Sequence, residues 1–130
     1  MKIKICGITE IETLNFLIEN GVDYVGFIFH ENSPRNVTHA FINEIKNTDF
    51  QKTRPVCVFA NPDKSFVSSS LSYFENPIIQ FHGDESEDFC KLFDCEFWKA
   101  LRIKDSKSLE DMKNFKNAEA ILCDTYKAVS

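Results

Sequence analysis

The sequence predicts an α/β fold built from consecutive parallel βαβ units, and three observations lead there. Short β-branched and aromatic runs recur about every twenty to thirty residues, each behind a polar, Gly, Pro or Asn boundary. One helix-like stretch lies between successive runs, the order that arises when parallel strands are joined by crossover helices. Polar and titratable residues collect directly behind the runs, at Cys6, His30 to Arg35, Asn61, His82 to Glu85, Arg102 and Asp124. In parallel folds those strand ends share one face of the molecule.

Taken in order, Ile3 and Ile5 alternate with Lys2 and Lys4 as in a short strand, and Cys6-Gly7 breaks the alternation. Thr9 and Glu12 have the spacing of a capping box, so a helix is expected from there to Asn20, with Ile11, Leu14, Phe16, Leu17 and Ile18 as its apolar face and Gly21 as its stop. Further strands are expected at Tyr24–Phe29, Pro55–Ala60, Ile78–Phe81, Phe97–Ile103 and Ala120–Cys123. The helices between them are expected at Thr38–Asn47, Asp63–Phe74, Ser86–Phe93 and Ser106–Phe115, which makes six strands and five helices in all. Asp84 and Glu85 read as acids at a helix N-terminus, favoured there by the helix dipole. Lys99 and Arg102 lie on the fifth strand with alternate facing, so at most one points to the face where the polar residues gather.

A chain of 130 residues with 43% hydrophobic content suits a single domain, 1–130, with a real core. No apolar run reaches membrane-spanning length and the start lacks the pattern of a signal peptide, so a cytoplasmic protein without membrane partners is expected. The net charge of -5 argues against nucleic acid as a partner, since a phosphate backbone requires a concentrated basic surface. A small anionic molecule stays open if basic residues converge locally. Five Cys is an odd count without CxxC spacing, which argues against a disulfide framework or a zinc site. Cys90 and Cys95 read as residues at a helix end. Cys6 alone falls where α/β folds keep their active sites, although free Cys most often serves as a small buried hydrophobe.

Periodicity does not separate a doubly wound sheet from part of a (β/α)8 barrel. Six motifs do more. Lys-Ile-Cys-Gly-Ile-Thr at 4–9, Gly26-Phe27-Ile28-Phe29 leading to Ser33-Pro34-Arg35, Val58-Phe59-Ala60-Asn61, Gln80-Phe81-His82-Gly83-Asp84-Glu85, Trp98-Lys99-Ala100 and Leu122-Cys123-Asp124-Thr125 span nearly the whole chain. In this order they resemble phosphoribosylanthranilate isomerase of tryptophan biosynthesis. The resemblance implies the TIM-barrel fold class, (β/α)8, and the Amadori rearrangement of N-(5-phosphoribosyl)anthranilate to 1-(2-carboxyphenylamino)-1-deoxyribulose 5-phosphate, with no metal or organic cofactor. By motif, Asp124 is the acid that opens the furanose ring and Cys6 the base that takes the proton from the second sugar carbon. Arg35 is the expected partner of the aromatic carboxylate, through its planar fork. Gln80 and His82 are expected on the anthranilate side of the pocket.

The chain ends six residues after Asp124, whereas a (β/α)8 barrel takes at least about 200 residues. The expectation is thus an incomplete barrel of about six strands and five helices, without strands seven and eight and their phosphate-binding loops. Bare edges at strands one and six would favour self-association or pairing with a complementing chain. The alternative to an active isomerase is an inactive truncated remnant that folds or self-associates and at best binds anthranilate-like acids.

Overall fold

The computed structural model describes residues 1–125. Six parallel strands, β1 (Lys4–Ile5), β2 (Tyr24–Phe29), β3 (Arg54–Phe59), β4 (Ile78–Phe81), β5 (Phe97–Ile103) and β6 (Ala120–Thr125), form one sheet. Between them run five helices, α1 (Ile11–Glu19), α2 (His39–Ile45), α3 (Lys64–Leu71), α4 (Glu87–Cys90) and α5 (Ser106–Asp111), and 3-10 turns extend α4 over Lys91–Phe93 and α5 over Met112–Asn114. Each strand pairs with its successor, in the order β1-β2-β3-β4-β5-β6. A doubly wound sheet would reverse at a switch point; an unreversed order instead curls the sheet as in a barrel. The result is a half-barrel of six strands.

The strand alternation sorts the side chains into two cores. One joins Val25, Phe27, Phe29, Cys57, Phe59, Ile79, Phe81 and Phe97 to Leu14, Ile18, Phe41, Ile42, Ile45 and Val67 from the helices. Phenylalanine carries this layer, with Phe27 stacked on Phe74 at 5.3 Å between centroids and Phe29 on Phe59 at 5.4 Å. The other core contains strand residues only, Ile28, Val56, Val58 and Ile78, with Cys6, Tyr24 and Trp98 packed against it. It lies on the concave side, where alternate residues of every strand point.

Helix starts follow the local chemistry at three places. Thr38 Oγ1 accepts from Phe41 N–H at 3.1 Å, Ser86 Oγ from Phe89 N–H at 3.2 Å, and Asp105 Oδ1 from Ser108 N–H at 3.0 Å. The capping box expected at Thr9 and Glu12 does not form. Gly7 and Ile8 N–H both donate to Gly26 O, at 3.0 and 3.1 Å, and Ile8 is buried, so the segment is tied to β2 and the helix begins only at Ile11, after an uncapped Glu10. β1 is also shorter than its alternating pattern extends. Ile3 and Ile5 remain 44% and 39% exposed on the outer side, while Lys4 turns to the concave side.

Candidate active site

Behind β1 the chain turns at Gly7 (φ 79°), and behind β2 it doubles back. Asn36 bridges to Ile28, Val37 N–H donates to Ile28 O at 2.9 Å, and Asn36 Oδ1 accepts from His30 N–H at 2.8 Å. Arg35, whose N–H donates to Ser33 Oγ at 3.2 Å, is thereby carried back over the end of β1. Its guanidinium lies against Gly7, so close that a Cβ built there would stand 2.8 Å from Cζ. The Ser-Pro-Arg turn and the Cys-Gly turn are thus two halves of one arrangement, which sets a permanently charged fork beside a thiol.

The concave face behind the strands holds a cleft of about 590 Å³. Cys6, Arg35, Gln80 and His82 all line it, so four of the five residues singled out in the sequence converge. Asp124 is exposed and stands outside the lining, on β6 in register with Arg102 of β5, which does line the cleft. Registered neighbours in a parallel sheet share a face, so Asp124 points to the same side. Its carboxylate is near enough to act on the His82 ring.

The cleft is lined by charges of both signs, Arg35 and Arg102 with Asp84 and Asp111. Burial holds the His82 imidazole below its ordinary pKa and Arg102 adds to the effect, with Asp124 and Glu85 acting in the other direction. Lys4 donates to Gln80 Oε1 and lies 5.6 Å from the centroid of the Trp98 ring. Burial lowers its pKa, opposed by Cys6 two residues on. Burial pushes three other thiols up, Cys57, Cys95 and Cys90, the last to about 12. Cys57 and Cys90 are buried in the helix-side core and Cys95 packs against it. Among the described residues no three His, Cys, Asp or Glu side chains converge to hold a metal ion.

Arg102, Asn61 and His30 line the cleft as well; Asn61 closes the third motif, whereas Arg102 and His30 belong to none of the six. Arg102 could be found from strand parity once Trp98 and Ala100 are known to face inward. Lys99, of opposite parity, turns away from the cleft and is buried against Glu85 at 2.7 Å. Glu85 is therefore not the solvated helix-dipole acid expected from its place ahead of α4; it is 8% exposed and salt-bridged. The reason is non-local, because a lysine fourteen positions later supplies the charge that permits burial.

The family model for N-(5'phosphoribosyl)anthranilate (PRA) isomerase matches residues 3–129. The chain belongs to that family. The N-(5'-phosphoribosyl)anthranilate isomerase of Nitrosomonas europaea is 35% identical over 129 residues, 98% of this chain. The alignment covers 61% of that relative, so the chain spans about three fifths of the length of the curated isomerases it matches. Among solved structures, the phosphoribosyl anthranilate isomerase of Thermotoga maritima superposes with a TM-score of 0.87 at 28% identity, covering 100% of this chain and 64% of that one. A phosphoribosyl anthranilate isomerase in complex with reduced 1-(o-carboxyphenylamino)-1-deoxyribulose 5-phosphate superposes with a TM-score of 0.85 at 29% identity, over 98% of this chain and 66% of that one. The half-barrel of six parallel strands thus superposes on 64% of that Thermotoga maritima isomerase.

Proposed function

We propose that the chain carries the acid-base half of a phosphoribosylanthranilate isomerase of tryptophan biosynthesis. The observation that carries this is the placement of the Arg35 fork against Gly7, directly beside Cys6, at the mouth of a cleft that also holds Gln80 and His82. A bidentate contact from Arg35 to the anthranilate carboxylate orients the substrate so that its sugar lies over the concave face. Asp124 gives its proton to the ring oxygen, the furanose opens to an imine, and the Cys6 thiolate removes the proton from the second sugar carbon. The resulting enolamine tautomerises to the aminodeoxyribulose product. Lys4, Arg35 and Arg102 supply the positive field in which a thiolate and an anionic substrate are both tolerated.

The test is loss of phosphoribosylanthranilate fluorescence. The 130-residue chain combined with the last two βα units of a related isomerase, fused or as a separate chain, turns the substrate over, whereas the chain by itself does not. Phosphate binding remote from the reacting bonds holds the sugar over the catalytic groups, and loss of such anchoring lowers turnover as well as affinity. The same addition should convert a self-associating chain to a monomer in sedimentation, because β1 and β6 each have one neighbour among the described residues. Turnover that stays absent in the combined form would end the isomerase reading.

A second reading, a binder of anthranilate-like acids without turnover, is favoured by the position of Asp124, exposed and outside the lining of the cleft that Cys6, Arg35, Gln80 and His82 share. It calls for calorimetric binding of the product analogue by every form and turnover by none.

A further inference from the structure

The β4–α4 loop is held chiefly by Glu85 and Lys99, neither of which lines the cleft. The Glu85 carboxylate accepts from Gly83 N–H at 3.0 Å through Oε1 and from Asn61 N–H at 2.7 Å through Oε2, so that one side chain ties the loops behind β3 and β4 together. Lys99 Nζ donates to Glu85 Oε1 at 2.7 Å and to Gly83 O at 2.6 Å. Both polar groups of Gly83 are thus bound, on the residue directly after His82. Asn61 returns the link, its Oδ1 accepting from Asp84 N–H at 2.8 Å, and His82 N–H donates to Phe59 O at 2.8 Å. The Lys99 ammonium also lies 5.4 Å from the centroid of Phe115, which covers it.

Stability alone does not call for such a pair. A buried ion pair exchanged for apolar residues of similar volume is often neutral or stabilising, because desolvation offsets the attraction. The two side chains are each 2% exposed, and the carboxylate reaches three partners on three different segments. What this arrangement does is hold two cleft-lining loops in one relative position.

We propose that Glu85 and Lys99 are positioning residues for the isomerase site, clamping the loops that carry Asn61 and His82 so that the anthranilate side of the cleft is formed before ligand arrives. The proposal rests on the isomerase reading for its ligand, and on geometry alone for the clamp. Neither residue touches the reacting atoms. Their effect passes through the orientation of the His82 ring and the Asn61 amide, where a displacement of about 1 Å is enough to matter to a bound substrate.

The test uses the 130-residue chain with Glu85→Met and Lys99→Met combined, which removes both charges together and keeps the volume. Folding is followed by thermal melting, the His82 ring by its NMR chemical shifts, and affinity by calorimetry with reduced 1-(o-carboxyphenylamino)-1-deoxyribulose 5-phosphate. The expected result is a folded variant whose His82 ring signals move or split and whose affinity falls about tenfold or more. Should the double variant not fold, Glu85→Gln is read in the same way, since its amide keeps Lys99 but offers a donor to the Asn61 N–H. A folded variant with parental His82 shifts and parental affinity overturns the proposal. If the parent does not bind the analogue, the His82 shifts alone decide the clamp, and the isomerase reading is decided separately by turnover of the combined form.

Discussion

The Cys6 sulfur fills the space that a side chain on Gly26 would take. A Cβ built on Gly26, one strand over, would stand 2.7 Å from Sγ and 3.2 Å from the Cys6 backbone. Gly26 Oxygen also accepts from Gly7 and Ile8 N–H, so this one residue makes room for the thiol and anchors the turn behind it.

Gly26→Ala should accordingly displace Cys6 and lower stability by about 1–3 kcal/mol, the usual range for overpacking. Urea denaturation measures this. An unchanged midpoint with unchanged thiol alkylation kinetics would show that β1 slides away without loss.

In a catalytically complete form, Cys6→Ala and Asp124→Asn should each lower turnover by roughly 10²- to 10⁴-fold, the range for positioned acid-base groups. Affinity for the product analogue should change little. A variant that keeps near-parental turnover removes its residue from the proton transfers.

Arg35→Lys should weaken binding of the same analogue although the charge is kept. An ammonium cannot reproduce two parallel hydrogen bonds to a carboxylate, and it does not fill the space beside Gly7 that the guanidinium takes. Calorimetry giving the parental dissociation constant would exclude Arg35 as the carboxylate partner.

His82 should titrate below the ordinary histidine value of about 6.5, chiefly through burial and then through Arg102. The folded state then binds fewer protons than the unfolded state just below that value, so stability is fully present above about pH 6.5 and is lost as pH falls toward the folded pKa. His82→Gln should flatten that loss, and Arg102→Met should raise the His82 midpoint. Both are read by NMR titration and by denaturation at pH 7 and pH 5; a midpoint at or above 6.5 contradicts the expectation.

Most elements were legible because their signals are local. The strands at Tyr24–Phe29, Ile78–Phe81 and Phe97–Ile103 have the bounds their apolar runs indicate, and α2 and α4 begin behind the Thr38 and Ser86 caps that the sequence displays. The convergence of Cys6 and His82 could be expected too, since each stands directly after a strand and parallel strands end on one face, and Gln80 lies near the end of its strand; Arg35, six residues past β2, is brought there by its loop. The α1 start was misread at Thr9 because its capping signal competed with a contact eighteen or so positions away, the carbonyl of Gly26.

By itself, then, the sequence determined the order of strands and helices, the phenylalanine-rich layer between them and the residues at the strand ends, all of which follow from periodicity and local hydrogen bonding. Tertiary structure alone decided the rest. Which way Lys4 and Lys99 face, that Arg35 lies on Gly7, and that Glu85 is a buried, salt-bridged acid each depend on partners distant in the chain. A side chain's burial is set by the charges and packing that meet it in space, and for Glu85 that partner is Lys99 on the next strand.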